Sequence, residues 1–371
     1  MRPWLVNCRH GIRSHECTRT RTSRAASRAD PPTLRLKGEE RKALRRGNHP
    51  TLQGAKWIEE ALRSVLTQTR KVDEIIVVDD GSADNGATVV AKLAEAHPEI
   101  ALIRQANAGQ SAARNRGIRQ ARSNLIALLD QDDIWYPDHV EILLERFVEA
   151  KAARKIPLGW VYANLDEMDE RGNIVSKGVL RTLGAHPKRD VAECVREDMF
   201  ILPGASLISR EPLLSVGGFD ERLSGYEDDD LFLRLFRAGW DHRFVDQPLS
   251  KWRIFPYSCS GTIRMCLSRA VYAQKLLEMF PDDKRMGRYF GRDLIVPRFL
   301  PMFAADLGKA AIRRDLAAAR AAIAGLHILA PTTTSRQLRL KVYIAQLLMR
   351  VPAIARLVIA AWQLSKRMRC R

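Results

Sequence analysis

Three acidic clusters contain the side chains best suited to chemistry. They lie in "VVDDGSADNG" (residues 77–86), "LLDQDDIWYPDH" (128–139) and "GYEDDDLFLRL" (225–235). Carboxylates so close in sequence repel one another and raise one another's pKa values. A hard divalent cation such as Mg²⁺ or Mn²⁺ would offset that repulsion, because it binds carboxylate oxygens together with phosphates and water. For each cluster an ordinary explanation stays open: a solvated turn for the first two and a helix start for the third.

The clusters and one nearby segment suit the binding and activation of a substrate. Asp79 or Asp80, at the end of an apolar run, could accept hydrogen bonds from a base or from ribose hydroxyls. A carboxylate of the third cluster could deprotonate a hydroxyl nucleophile. In "NAGQSAARNRGI", Arg114 stands near a predicted helix start, where a nucleotide or phosphate could bind. Ordinary packing of a helix on a sheet explains that segment equally well.

The elements that would hold these residues alternate between helix and strand from Thr51 to about Phe147. The predicted order is a helix in "AKWIEEALRSVLTQT", a strand in "DEIIVVDD", a helix over 84–96, a strand in "EIALIRQ", a helix over 109–121, a strand in "NLIALLD" and a helix opened by Pro137. Repeated strand–helix units predict a parallel sheet wrapped by helices. Ligands bind beyond the carboxyl ends of such strands, so the first two clusters should face one crevice.

The second half of the chain contains a mixed segment followed by a helical one. Residues 159–253 contain strand-like "GWVYANLDEMD" and "IVSKGVL", separated by a turn at residues 171–173. Beyond residue 263 only helical patterns occur, including the Ala-rich "KAAIRRDLAAARAAIAG". The sequence shows no internal repeat.

The formal net charge of +18 over 371 residues would suit an anionic partner. The excess lies at the two ends of the chain, whereas the acidic middle is close to balanced. Since an enzyme of nucleic acids would be basic around its working site, the pattern argues against nucleic acid as a partner. The alternation of apolar and basic positions in "VPAIARLVIAAWQL" (351–364) predicts peripheral contact with an anionic membrane, and packing on the protein's own body is the alternative.

The six cysteines indicate a reducing compartment, and we expect a cytoplasmic protein. They stand at positions 8, 17, 194, 259, 266 and 370 and form no CxxC pair. Cys8, His10, His15 and Cys17 could be drawn as a zinc site. Their spacing matches no common zinc finger, so we favour a chance arrangement in a biased segment. No apolar run reaches the roughly 18–20 residues that span a bilayer.

Six segments taken together, in their order along the chain, strongly resemble family-2 glycosyltransferases with the GT-A fold. The segments are "PTLQGAKWIEEALRSVLTQT", "EIIVVDDGSADNG", "NAGQSAARNRGI", "LIALLDQDDIWYPDHVE", "GGFDERL" and "YEDDDLFLRL". The resemblance covers roughly residues 50–255. It implies an α/β fold with a Rossmann-like, mostly parallel sheet flanked by helices. Together with the composition of the two ends, this predicts a basic, disordered or misread segment over 1–49, a GT-A domain over 50–255 and a helical, basic C-terminal region over 256–371.

The resemblance also implies which residues bind a nucleotide-diphospho-sugar donor. Asp79 or Asp80 would contact the base, and Arg114 would help to line that pocket. In the DxD motif of the family, Asp130 would lie near the ribose and Asp132 would coordinate the Mg²⁺ or Mn²⁺ ion that bridges the diphosphate. The metal would stabilise the charge on the leaving nucleotide without a proton donor.

The third cluster matches the ED motif of the family. The resemblance implies that Asp228 is the catalytic base, supported by Glu227 and Asp230. The implied reaction is inverting transfer of a sugar, of the hexosyltransferase type, to a hydroxyl of a carbohydrate or lipid-linked acceptor. Such a reaction would serve the synthesis of polysaccharide or another glycoconjugate, for example of the cell envelope.

Two departures from the family pattern bear on this interpretation. Family members begin with an apolar strand, whereas "KALRRGNH" precedes Pro50 here, and the neighbours of a missing strand would keep unpaired backbone groups. We therefore expect a misread start, with a transit peptide as the competing account. Where the family often has Arg-x-His-Pro, this chain has Phe255 before Pro256. The metal would then be held by fewer protein ligands and more water.

Two functions of other classes compete with glycosyl transfer. The departures above would suit a catalytically impaired protein that keeps the GT-A fold and binds a nucleotide or a glycan. A nucleotidyltransferase that makes sugar nucleotides would also use a metal and a parallel sheet. That class should carry a Gly-rich, basic triphosphate loop near its first strand, and this sequence has none.

Overall fold

Nine strands form one central sheet within the part of the chain that the computed structural model describes, residues 4–8, 54–152, 157–255 and 263–349. In chain order the strands are β1 (Trp4–Cys8), β2 (Glu74–Asp79), β3 (Ile100–Arg104), β4 (Leu125–Leu129), β5 (Ile134–Trp135), β6 (Leu158–Met168), β7 (Ile174–Ser176), β8 (Ser206–Ser209) and β9 (Asp241–Arg253). Their spatial order is β3-β2-β1-β4-β8-β6-β9-β5, and β7 pairs with β6.

The direction of the strands makes this a mixed sheet. Strands β2 and β3 pair in parallel, as do β6 and β9, whereas the other described pairs are antiparallel. Following these pairings across the sheet, β2, β3, β4, β6 and β9 all run in one direction. The predicted α/β class with a central sheet is confirmed. The acidic ends of β2 and β4 therefore lie at the same edge, as parallel strands require.

The slot between β2 and β4 is filled by β1, which is antiparallel to both neighbours. Val6 of β1 lies opposite Ile75 of β2 on one side and Ala127 of β4 on the other. The expectation that these neighbours keep unpaired backbone groups is wrong, because residues 4–8 supply the missing ladder. The predictions for the rest of residues 1–49, including His10, His15 and Cys17 of the drawn zinc site, fall outside the described residues.

Helices cover both faces of the sheet, as the periodicity predicts. They are α1 (Gly54–Leu66), α2 (Gly86–Ala96), α3 (Gln110–Gln120), α4 (His139–Ala152), α5 (Val191–Arg196), α6 (Arg210–Ser215), α7 (Glu227–Arg237), α8 (Ile263–Met279), α9 (Val296–Arg313), α10 (Leu316–Leu329) and α11 (Arg336–Met349). The predicted helices over 84–96 and 109–121 correspond to α2 and α3. The predicted strand in "IVSKGVL" is shorter, because a 3₁₀ turn begins at Val179.

Strand β4 shows why the sequence of a central strand is a continuous apolar run. All five of its residues are buried. Leu125, Ala127 and Leu129 face a core that includes α1 and α4, whereas Ile126 and Leu128 face a core that includes α3 and α7. A strand buried on both faces has no polar side to alternate with.

The C-terminal helices share the second of these cores. Tyr272 of α8 and Phe299 of α9 are fully buried in the same cluster as Phe232 of α7. The residues after 262 are therefore packed onto the sheet domain through a common core. In the described residues, no helix combines the length and the apolar character that a membrane span requires. The helix predicted over 351–364 lies outside the described residues.

Candidate active site

The first acidic cluster ends β2, and its two carboxylates do different things. Asp80 is buried and accepts hydrogen bonds from the Gln105 amide at 2.9 Å and from the backbone N–H groups of Ala108 and Gly109 at 2.7 and 2.9 Å. It thus fixes the loop that leads into α3. Asp79 accepts one hydrogen bond, from the Ser82 N–H at 2.9 Å, and is half-buried.

Asp79 lines a small cleft of about 10 Å³ at the carboxyl end of β2. The cleft is lined by side chains and backbone of β2, β3, α1, α2 and the loop after β4, namely Ile58, Val77, Val78, Asp79, Ser82, Gly86, Ala87, Val90, Leu102 and Gln131. Gln131 stands between the acidic residues of the second cluster. One residue of each of the first two clusters, Asp79 and Gln131, therefore lines this cleft.

Arg114 joins the second cluster to the third. Its guanidinium donates two hydrogen bonds from Nη2 to the Asp130 carboxylate, at 2.8 and 2.9 Å, and one from Nη1 to Glu227 Oε1 at 3.2 Å. The side chain is 3% exposed and lies over the Phe219 ring, 5.1 Å from its centroid. Burial alone would lower the pKa of Arg114, but the Asp130 and Glu227 carboxylates outweigh it and raise that pKa.

The guanidinium thus holds two carboxylates that are 97 residues apart in the sequence. One follows the end of β4 and the other begins α7. Because both contact the same planar group, the second and third clusters lie side by side. All three predicted clusters therefore converge at one edge of the sheet.

A second buried arginine, Arg253, binds the other acidic residues of the loop that follows β4. The sequence did not single out this residue. Arg253 ends β9 and is 3% exposed. Its backbone N–H donates to Asp133 Oδ1 at 2.9 Å, its Nε to the Asp132 carbonyl at 2.8 Å and its Nη2 to Glu60 at 2.7 Å. Asp133 is consequently a buried anchor of the loop. The side chain of Asp132, by contrast, is only half-buried.

The start of α7 adopts a strained backbone. Tyr226, the residue before Glu227, has φ of 62°, in the left-handed region that a side chain with a Cβ rarely occupies. Its ring stacks on Tyr272 and its hydroxyl accepts a hydrogen bond from Arg269 of α8 at 3.0 Å. Helix α8 thus stabilises the turn that presents Glu227 and Asp228.

Asp228 is half-buried beside Glu227 and Arg114, and its protonation is tuned by that environment. Burial, and next the nearby Glu227 carboxylate, raise the pKa of Asp228 to about 7. Burial likewise raises the pKa of Glu227, although the Arg114 guanidinium opposes the shift. A carboxyl group with a pKa near neutrality is suited to accept a proton from a hydroxyl group.

The other two acidic residues of α7 are tied to the body of the protein. Asp229 accepts a hydrogen bond from the Met199 N–H at 3.0 Å and pairs with Arg298 of α9 at 2.6 Å. Asp230 is fully buried and pairs with Arg234 and with Lys275 of α8. The structure therefore turns Asp230 away from Asp228, into an ion network that anchors the helix.

Helix α3 also fixes the loop that leads to α7. The Asn115 amide donates to the Phe219 carbonyl and accepts from the Phe219 N–H, both at 2.8 Å. Gly218, with φ of 71°, lies so close that a Cβ there would stand 2.4 Å from Asn115 Oδ1. The "GGFDERL" segment therefore needs glycine at this position.

A divalent ion at this edge would need oxygen ligands from a diphosphate and from water beside the carboxylates. Among the residues described here, no group of three or more His, Cys, Asp or Glu side chains could hold a metal ion by itself. Mg²⁺ is commonly bound through one or two carboxylates together with substrate phosphates and water. Burial, and next repulsion from Asp130, raise the pKa of Asp132 to about 6. A cation between the two carboxylates would relieve that repulsion.

Comparison with known sequences shows that part of this chain is similar to known glycosyltransferases. Residues 49–212 match the family model described as Glycosyl transferase family 2. Chondroitin synthase of Escherichia coli is 30% identical over 191 residues, which are 51% of this chain and 26% of that protein. Hyaluronan synthase of Pasteurella multocida is 28% identical over 191 residues, which are 51% of this chain and 18% of that protein. This chain thus spans less than a third of either relative.

Comparison with solved structures supports the fold. The structure of residues 1–349 of S. aureus TarS gives a TM-score of 0.55 at 16% identity, over 84% of this chain and 89% of that one. The same protein in complex with UDP-GlcNAc gives a TM-score of 0.54 at 14% identity, again over 84% and 89% of the two chains. This likeness confirms the predicted GT-A class with its helical C-terminal region.

Proposed function

We propose that this chain, whose residues 49–212 match the model of glycosyl transferase family 2, is an inverting glycosyltransferase. It moves a sugar from a nucleotide-diphospho-sugar donor to a hydroxyl group of its acceptor. One observation carries the proposal: the Arg114 guanidinium binds both Asp130 and Glu227. A candidate donor residue and the start of the helix that carries the candidate base thereby lie side by side.

On the donor side, Asp79 contacts the base, because it lines the cleft and accepts only one hydrogen bond from a described residue. Asp80 acts through the loop that it holds in front of α3. Asp130 faces the ribose, and Arg114 shapes the donor pocket by fixing that carboxylate. Asp132 would hold a Mg²⁺ or Mn²⁺ ion, which would neutralise negative charge on the diphosphate.

On the acceptor side, Asp228 removes the proton from the attacking hydroxyl. The hydroxyl oxygen then forms the new bond to the anomeric carbon on the face opposite the leaving nucleoside diphosphate, so the configuration inverts. Glu227 keeps the pKa of Asp228 high through its own charge. Asp230 supports the base indirectly, since its pairs with Arg234 and Lys275 hold α7 in place.

We further propose that the product is a polysaccharide or another glycoconjugate. Two relatives, chondroitin synthase and hyaluronan synthase, are named for the sugar polymers that they make. A structural neighbour binds UDP-GlcNAc, which is a donor of the proposed class. The enzyme would work in the cytoplasm at the inner face of the membrane, where lipid-linked acceptors of the cell envelope are built. The free thiols of Cys194 and Cys266 suit that reducing compartment.

A screen of nucleotide sugars tests the reaction and its metal. With Mn²⁺ or Mg²⁺ present, one donor or a small group of donors should release nucleoside diphosphate in proportion to an added glycan acceptor. Removal of the metal by a chelator should suppress the release, and either ion should restore it. Equal release with and without metal would contradict the role of Asp132.

The competing function is a catalytically impaired protein that binds a nucleotide or a glycan. Phe255, which stands where a metal-binding His is frequent in the family, packs on Trp57 with ring centroids 5.0 Å apart. If calorimetry showed nucleotide binding while every donor stayed intact, that alternative would replace glycosyl transfer.

The rate of transfer should follow the protonation of Asp228. Only the deprotonated carboxylate accepts a proton, and the pKa of Asp228 is raised to about 7. At saturating metal, kcat/KM should therefore rise about tenfold per pH unit below that pKa and become constant above it. Initial rates measured across this pH range check the prediction.

The variant Glu227→Gln provides the control for the pH profile. It removes the neighbouring charge that raises the pKa of Asp228. The inflection should then move to lower pH, because the charged form of Asp228 becomes easier to form. An inflection that stays in place would mean that another group titrates.

A further inference from the structure

Helix α11 (Arg336–Met349) has apolar side chains on two opposite faces. One face packs against the rest of the protein, where Val342 and Met349 are both 5% exposed. The other face carries four large apolar side chains that are between 41% and 60% exposed, namely Leu340, Tyr343, Ile344 and Leu347. Their spacing of three or four residues places them on a single stripe of the helix. We call this stripe the outer face of α11.

Basic side chains border the outer face. At about 100° per residue, Arg339 and Lys341 lie on either side of Leu340, and Arg336 lies one turn before it. All three are exposed. Long basic side chains at such positions can keep their charged ends in water while their stems cover apolar surface. The outer face is therefore an apolar stripe with cations along both edges.

All the charged side chains in the sequence around α11 are basic. Residues 316–371 contain ten Arg and Lys residues, and no Asp or Glu follows Asp315. No carboxylate of this segment can neutralise the outer face. Its complement must therefore supply both negative charge and an apolar layer.

We propose that the outer face of α11 binds the surface of an anionic membrane. Leu340, Ile344 and Leu347 would enter the boundary between headgroups and acyl chains, while Arg339 and Lys341 would meet the lipid phosphates. This inference rests on the membrane location proposed above and is independent of the transfer reaction. It would hold the enzyme beside acceptors that carry a lipid.

Charge argues against the other possible occupants. A second copy of the chain would bring Arg336, Arg339 and Lys341 against the same cations in a two-fold contact. Residues 350–371 add six more basic side chains and no acidic ones, so they offer no complementary charge. A nucleic acid would satisfy the cations, but its phosphates would leave Leu340 and Ile344 without an apolar partner.

The proposal is tested with the full chain and vesicles of defined composition, without substrate. Wild-type protein should float with vesicles rich in phosphatidylglycerol, bind vesicles of phosphatidylcholine only weakly, and lose binding as salt is raised. The double variant Leu340→Ser, Ile344→Ser should bind anionic vesicles about tenfold or more weakly, because it removes most of the apolar stripe. Arg339→Gln with Lys341→Gln should also weaken binding, by about fivefold per charge.

The matched control replaces two exposed apolar side chains elsewhere, in the double variant Val175→Ser, Met286→Ser. These residues are 54% and 61% exposed and lie outside α11, so binding to vesicles should stay at the wild-type level. Transfer to a soluble glycan acceptor should also be unchanged in all of these variants. A loss of vesicle binding with intact transfer supports the proposal separately from the catalytic one.

Several results would overturn it. Wild-type protein that stays in the soluble fraction with anionic vesicles would show that the outer face is covered by another part of the chain. A wild-type dimer that becomes a monomer in the Leu340→Ser, Ile344→Ser variant would make a second copy the occupant. Binding to RNA that the same variant leaves intact, with no binding to vesicles, would assign the cations to nucleic acid.

Discussion

Replacing Asp228 by Asn should lower the rate of sugar transfer by about 10²- to 10⁴-fold and leave nucleotide binding nearly unchanged. The amide keeps the size of the side chain but cannot accept the proton of the acceptor hydroxyl. Folding should not suffer, because burial and the Glu227 carboxylate already disfavour the charged form of Asp228. Steady-state rates, a nucleotide titration and thermal unfolding together measure the three quantities.

The neighbouring substitution Asp229→Asn is the matched control. Asp229 is the next residue of the same helix, but its carboxylate pairs with Arg298 and accepts a hydrogen bond from the Met199 N–H. The change should lower the free energy of unfolding by about 2 kcal/mol, because a charged hydrogen bond is lost. Asp228→Asn should act on the rate, and Asp229→Asn on stability. Wild-type turnover in Asp228→Asn would remove Asp228 as the base.

The first half of the fold could be predicted from local patterns because its elements are strongly periodic. The apolar positions of α1, among them Trp57, Leu62 and Val65, are all buried. The continuous apolar runs of β2 and β4 became strands buried on both faces. In these segments the period and the length of the apolar run agree, so helix and strand can be told apart.

The strand at the centre of the sheet could not be predicted in this way. Trp4–Cys8 pairs with β2 and β4, although about 45 residues separate it from α1. A short apolar run carries no information about its partner, its register or its direction. The polar sequence directly before Pro50 therefore pointed to an empty slot, while a strand from much earlier in the chain occupies it.

The convergence of the acidic clusters was predictable, whereas the cations that hold them were not. Acidic residues at the ends of strands with a common direction must share one edge of the sheet. Arg253 and Arg298 reach that edge from β9 and α9, far along the chain from Asp132 and Asp229. Arg298 belongs to no motif, and Arg253 stands at the Arg position of the Arg-x-His-Pro pattern, which does not indicate its contacts with the loop after β4. Only burial distinguishes these two residues from the many exposed arginines.

The C-terminal helices, assigned to a separate region on composition, share in the construction of the site. Arg298 of α9 joins Asp229 to Asp198, and the same side chain donates to the backbone carbonyls of Cys194 and Val195. The helix that presents Asp228 and the loop before residues 200–206 are thereby held together. The basic C-terminal region thus contains a buried arginine, Arg298, which positions the helix that carries Asp228.

Replacing Arg114 by Met should destabilise the protein by about 3 kcal/mol and abolish most of the transfer. The apolar side chain would leave the Glu227 carboxylate buried without its cation, and Asp130 would lose both of its hydrogen bonds. This loss of stability lies at the lower end of the range for breaking a buried ion pair, because Asp130 is 34% exposed to water. Chemical denaturation measures the free energy of unfolding.

Two comparisons separate this clamping role of Arg114 from direct contact with the donor. Arg116→Met, on the same helix, removes only a 3.4 Å contact with Gln105 and should change stability by less than about 0.5 kcal/mol. Adding Glu227→Gln to Arg114→Met should restore part of the lost stability, because the uncompensated charge is gone. Direct donor contact would give a different result, namely a raised KM for the donor with wild-type stability. That result would show that the two acidic clusters do not depend on a shared guanidinium.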